Sequence, residues 1–239
     1  MCSNWALSNG LNVVLSGHPI LDEYVKDVLD IPDKIKNGKK TVVYAPHWSI
    51  ATYHNTSTFH IQYKFFFSLL KKYPDVNFVL KPHPALGSEI KRRISHGEKG
   101  LPGYEEYLDY CKAWDESPNG VLVTDSSFID LFKASDCLIT DSYSFLVAWL
   151  PTDKPCILLK NPKGPIDVKK YYYHFTHSLL DAYYNCESEI EIEEVIKKVV
   201  IEGKDPKKEE RLKQKEKLIY NFGHAGEFIA NYIEKQLRS

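Results

Sequence analysis

Short apolar runs recur along this chain, each followed by a polar cluster and then by a stretch with helical spacing. Residues 41–44, 76–80, 121–124, 137–140 and 155–159 read as strands. Val121-Leu122-Val123 and Cys156-Ile157-Leu158-Leu159 are continuously apolar, as strands are when both faces are buried. Between the runs, residues 59–72, 104–114, 128–133 and 145–150 read as helices. Repeated strand–helix–strand units predict an α/β fold, a Rossmann-like parallel sheet with helices on both faces.

The ends of the chain follow other patterns. Residues 11–15 form a short apolar run that stops at Ser16-Gly17-His18-Pro19 and leads into an amphipathic stretch over 20–29. Residues 87–103 are charged and punctuated by glycine, and read as a mobile surface excursion. After Asn161-Pro162-Lys163-Gly164-Pro165 the pattern turns helical, over 187–202, 205–220 and 225–237. Ser188 with Glu191 three residues on is a capping-box pattern. The Lys- and Glu-rich stretch 204–217 reads as a solvated helix face. The whole chain, 1–239, therefore reads as one domain, with a C-terminal helical segment from about 187 to 239 packed on it.

The polar clusters stand where ligands bind in open α/β sheets, just past the carboxyl ends of strands. They are Ala45-Pro46-His47-Trp48-Ser49, Lys81-Pro82-His83-Pro84, Asp125-Ser126-Ser127 and Thr140-Asp141-Ser142-Tyr143-Ser144. Imidazole, ammonium and hydroxyl groups suit an anionic, phosphorylated ligand. The prolines around His83 fix φ and restrict the residue before each, which holds the imidazole on a rigid turn. There it can bind phosphate or give a proton to a leaving group. The turn 140–144 opens a helix, where unpaired amides and the helix dipole attract anions. Each cluster also has a plainer reading. Asp141, Ser142, Ser57 and Thr58 are all suited to capping helices, and prolines end strands.

Composition narrows the class. The net charge of −1 gives no case for nucleic acid. The five cysteines are odd in number and scattered, without a CxxC, which fits reduced thiols in a cytoplasmic protein. No apolar stretch approaches the roughly 20 residues of a membrane span, and no secretory signal opens the sequence. His47, His54 and His60 raise the question of a metal hydrolase, but their spacing matches no zinc signature and no carboxylate interleaves them. Neither a metal nor a cofactor is expected. Tyr171-Tyr172-Tyr173 reads as a packed loop edge.

Taken in order, the clusters resemble a known family. They are Ser16-Gly17-His18-Pro19 with Asp22, Tyr44-Ala45-Pro46-His47-Trp48-Ser49, Lys81-Pro82-His83-Pro84, Ser135-Asp136 through Ser144, and Lys154-Pro155. The chain resembles the C-terminal half of bacterial CDP-glycerol glycerophosphotransferases, the teichoic-acid and capsule polymerases with a GT-B fold. The resemblance implies that this half holds a CDP-linked or other nucleotide-diphosphate donor. It implies donor-phosphate contacts at His83, Asp141, Ser142 and Ser144; position and residue type add Lys81 as a further phosphate contact, and Pro46, His47, Ser49, Asp125 and Ser126 as candidate nucleotide contacts. His83 and His47 are the candidate catalytic residues. The acceptor would be a polymer or lipid-linked hydroxyl at the inner membrane face. Two departures stand out. The strand-end motif Asp-Tyr-Ser-Ser of the family is Asp141-Ser142-Tyr143-Ser144 here. The Trp-His-Gly-Thr-Pro-like motif of the family's N-terminal acceptor half has no counterpart. The chain then reads as part of a longer protein, or as a short form that works with a separate N-terminal-half subunit or serves as a nucleotide- or partner-binding module; a nucleotide-sugar glycosyltransferase is the other alternative.

Overall fold

The computed structural model describes residues 13–27, 29–50, 55–164 and 179–238. Six strands form its sheet: β1 (Lys40–Ala45), β2 (Val76–Leu80), β3 (Gly120–Leu122), β4 (Cys137–Thr140), β5 (Cys156–Leu159) and β6 (Tyr184–Cys186). Their order is β3-β2-β1-β4-β5-β6, and every neighbouring pair is parallel. β1 therefore lies between β2 and β4, and the strand order reverses there. In such sheets the ligand crevice opens at this reversal, past the carboxyl ends of the two central strands.

Alternation along the strands divides the core between two faces. Val42 and Tyr44 of β1 pack on one face with α1 (Phe59–Lys72) and α3 (Tyr104–Glu116), through Phe59, Phe66, Leu69, Tyr107 and Trp114. Val43 and Ala45 point to the other face, against α4 (Ile129–Ala134) and α5 (Tyr143–Trp149), through Leu131, Phe132, Leu146 and Trp149. Both faces of the sheet are thus dry, which explains the unbroken apolar runs of the central strands. The Trp114 indole donates to the Phe78 carbonyl at 3.0 Å, so its one polar group is satisfied. Next to it, a Cβ on Gly120 would overlap the Trp114 carbonyl, and only glycine lets β3 begin there.

One expectation changes. The glycine-punctuated stretch is not an excursion over its whole length, because Leu86–Ser95 is a helix, α2. Leu86 and Ile90 are buried one turn apart, and Glu89 accepts hydrogen bonds from Arg92 and Arg93 at 2.7–2.8 Å. These i,i+3 and i,i+4 pairs hold a helix that has few apolar positions. The described part of the first apolar run, 13–15, carries no regular element, and a short 3-10 helix at Pro19–Val25 opens the amphipathic stretch after it. Tyr171-Tyr172-Tyr173 and His54 lie outside the described residues.

The C-terminal helices close the domain. Helix α6 (Glu189–Ile196) begins at the expected capping box, with Ser188 accepting from the Glu191 amide, and continues as a π-helical turn over Lys197–Ile201. Helix α7 (Lys208–Leu218) is fixed by Arg211, a fully buried guanidinium paired with Asp205 and donating to the Asp153 carbonyl at 3.3 Å. Helix α8 (Ala225–Leu237) ends the fold. Among the described residues, no helix is long and apolar enough to cross a membrane.

Candidate functional site

The ends of β1 and β2 are sewn together past the sheet. The Lys81 amide donates to the Tyr44 carbonyl at 2.8 Å, and the His83 amide to the Pro46 carbonyl at 3.0 Å. This places the His47 and His83 rings 5.3 Å apart, edge to face, with the Trp48 ring 6.2 Å from His83. Each imidazole is then oriented by its own turn. His83 Nδ1 accepts the Ala85 amide at 3.1 Å, and His47 Nδ1 accepts the Ser49 amide at 3.3 Å. A backbone N–H can only donate, so each Nδ1 is an acceptor and the ring proton sits on Nε2. Burial holds the His83 pKa below its ordinary value, which favours this neutral form.

Lys81 brings the cation. Its side chain is only 5 % exposed, and its ammonium donates to the Asp125 carbonyl at 2.7 Å, with the Asp125 carboxylate at 3.6 Å. Burial lowers its pKa, and Asp125 acts against that shift. The β3-side cluster is therefore attached to β2 through this lysine.

At the end of β4 the chain turns into α5. The Thr140 hydroxyl donates to the Ala45 carbonyl at 2.7 Å and accepts the Ser142 amide at 3.0 Å, which fixes the turn to β1. Ser142 is the N-cap of α5, yet its hydroxyl makes no capping bond to the helix; it lies 3.0 Å from the Ser144 hydroxyl. Asp141 is different. Its carboxylate is completely buried and accepts the His47 amide at 2.5 Å, the Thr58 amide at 2.6 Å and the Thr58 hydroxyl at 3.0 Å. Burial pushes its pKa up to about 6, against those hydrogen bonds. Thr58, expected as a simple cap for α1, makes no side-chain cap; its hydroxyl goes to Asp141 instead.

These pieces enclose a cavity of about 220 Å³. Pro46, His47, Lys81 and His83 form one side, Asp125 and Ser126 another, and Ser142 and Ser144 the third. Ser49 and Asp141 are among the expected contacts but do not line it. Ser49 is buried behind His47, 2.8 Å from its Nδ1, and also bonds the Thr56 hydroxyl at 2.7 Å. Phe128 and Phe145 do line it, with ring centroids 5.2 Å apart. From sequence, both belong to helical stretches with no role at the site. Among the described residues, no group of three or more His, Cys, Asp or Glu is placed to hold a metal ion.

The first cluster is placed elsewhere. The Asp22 carboxylate accepts the amides of Ala225 and Gly226 at 2.9 and 2.8 Å, capping α8. Gly17 has φ +82°, and a Cβ there would overlap the Tyr220 carbonyl. Ser16-Gly17-His18-Pro19 with Asp22 therefore forms a clasp between the first described residues and the last helix, next to an apolar groove of about 250 Å³.

A parallel sheet of this order, with polar side chains gathered around a cavity at its switch point, defines a Rossmann-like domain. A family model for CDP-glycerol:poly(glycerophosphate) glycerophosphotransferases matches residues 8–235, and the chain belongs to that family. Solved structures share the fold at low sequence identity. One is S. aureus MnaA with UDP, at TM-score 0.55 and 15 % identity over 94 % of this chain and 55 % of that one. Another is the wall teichoic acid polymerase TagF, a histidine-to-asparagine variant soaked with CDPG. Its TM-score is 0.53, with 17 % identity over 95 % of this chain and 50 % of that one. A UDP-N-acetylglucosamine 2-epimerase matches at TM-score 0.53 and 14 % identity, over 94 % of this chain and 52 % of that one. The chain thus spans about half the length of these proteins. No curated protein sequence matches it. The Rossmann-like half of a GT-B architecture, expected from sequence, is the fold observed.

Proposed function

We propose that the cavity binds the diphosphate of a nucleotide-linked donor, and that the chain is the donor-side half of a glycerophosphotransferase of cell-surface polymer synthesis. The carrying observation is the cavity, in which Lys81 and His83 from the end of β2 converge with Ser142 and Ser144 from the end of β4 in a chain of this family. The neutral His83 would give its Nε2–H to a phosphate oxygen, and the two serine hydroxyls would serve the same anion from the α5 side. The Lys81 ammonium offsets charge from within the wall. Pro46, His47, Asp125 and Ser126 would border the nucleotide, and Phe128 and Phe145 offer it an apolar surface. Ser49 and Asp141 would act through the groups they hold. TagF was soaked with CDPG and MnaA was solved with UDP, which supports a nucleotide ligand in this fold.

In the reaction an acceptor hydroxyl oxygen would attack the glycerol-bearing phosphorus while the bond to the CMP oxygen breaks. Positioning and stabilisation of phosphoryl oxygens would supply the catalysis. His47, its Nδ1 tied to Ser49, serves as a second Nε2–H donor rather than as a base. The proton of the acceptor would go to a base on the facing, acceptor-side domain or subunit. A polymer or lipid-linked acceptor would bring the assembly to the inner membrane face. Calorimetry of the chain with CDP-glycerol, CMP, and UDP- and GDP-sugars tests the proposal. Saturable binding of CDP-glycerol supports it, absence of binding to all of them refutes it, and preference for a UDP-sugar reassigns the donor.

A further inference from the structure

We infer that Asp141 is a positioning residue that sets the His47 turn for the ligand, a latch rather than a phosphate contact; the ligand side of this inference rests on the function proposed above. The carboxylate has no exposed surface and does not line the cavity. It faces donors from two other parts of the fold: the His47 amide at the end of β1, and the amide and hydroxyl of Thr58 at the start of α1. One side chain from β4 therefore grips the connection between β1 and α1 on both sides of its turn. The His47 amide that it holds begins the same turn in which His47 Nδ1 accepts the Ser49 amide. Moving that amide rotates the ring at the cavity wall.

The chemistry demands a carboxylate. Three donors converge on it, and a carboxylate only accepts. An asparagine of the same shape has one accepting oxygen and one NH2, so one backbone amide would meet another donor. Leaving a buried polar group in conflict costs more than losing a neutral pair. Thr58→Val is a milder perturbation that removes one donor and keeps the branched shape.

The test uses the full chain with CDP-glycerol as probe, in a double-mutant cycle of Asp141→Asn and His47→Ala, with Thr58→Val as the variant that must fold. Amide exchange at His47 and Thr58 is followed in parallel without ligand. The latch predicts that Asp141→Asn weakens the probe about tenfold, corresponding to ~1.4 kcal/mol. It further predicts that the double variant is no weaker than His47→Ala, because residues in one network do not add. Exchange at His47 should speed up in both Asp141→Asn and Thr58→Val while the sheet amides stay protected. Additive effects on binding, or unchanged exchange at His47, would overturn the latch. If the unaltered chain binds no probe, the functional proposal fails and the exchange arm alone decides the latch.

Discussion

Replacing His83 by asparagine separates two roles of one ring. Asparagine Oδ1 can accept the amide two residues on, so the bond now made by His83 Nδ1 to the Ala85 amide, at 3.1 Å, has a substitute. What asparagine lacks is a donor at the reach of Nε2. The ring is neutral near pH 7, because burial lowers its pKa and Nδ1 is already engaged. A neutral donor to a charged phosphate contributes about 1.5–3 kcal/mol, which is roughly 10- to 100-fold in affinity. His83→Asn should therefore weaken CDP-glycerol by that factor with little change in thermal midpoint. His83→Ala should lose both affinity and some stability. Titration calorimetry from pH 6.5 to 8 adds a sign test. A neutral donor predicts a nearly flat affinity above pH 7. An imidazolium would lose affinity about tenfold per pH unit above its pKa. A steep fall between pH 7 and 8, or unchanged affinity in His83→Asn, would refute the reasoning.

Other predictions concern the frame that holds the site. Asp22→Ala removes the acceptor of two amides at the start of α8 and should cost about 1–2 kcal/mol; faster hydrogen exchange confined to Ala225–Leu237 would show it. Arg211→Ala strips the partner from Asp205 in a buried setting and should destabilise by about 3 kcal/mol in urea unfolding. Glu193 is held down to about 2 by hydrogen bonds from Lys197, Lys72 and Tyr73. A depressed carboxylate stabilises above its unfolded pKa and loses that contribution as pH falls, so Glu193→Gln should flatten the acid limb of the stability profile between about pH 4.5 and 2.

The sheet was legible because its strands are buried on both faces and need uninterrupted apolar runs. β6 was not, since Tyr184-Asn185-Cys186 is too short and too mixed to separate from a loop. Helix α2 was misread because its stability comes from Glu89 with Arg92 and Arg93 more than from apolar spacing. At the site, the sequence shows which polar groups follow strands but not which way they face. Asp141, one residue past β4, reads as a ligand contact in sequence, while in the fold it faces Thr58 and the His47 amide. Asp22, grouped in sequence with Ser16-Gly17-His18-Pro19, caps a helix some 200 residues later, a contact that no local pattern encodes. Phe128 and Phe145 have helical spacing, and only the packing of α4 beside α5 brings their edges to the cavity.

A crystal structure of the chain with CDP-glycerol tests the central claim most directly. The account predicts the diphosphate in the cavity, within hydrogen-bond distance of His83 Nε2 and of the Ser142 and Ser144 hydroxyls, with Asp141 still buried against Thr58. A ligand seated elsewhere, such as the polar groove of Asp30, Asp33 and Lys36, with the His83 cavity empty, would contradict it.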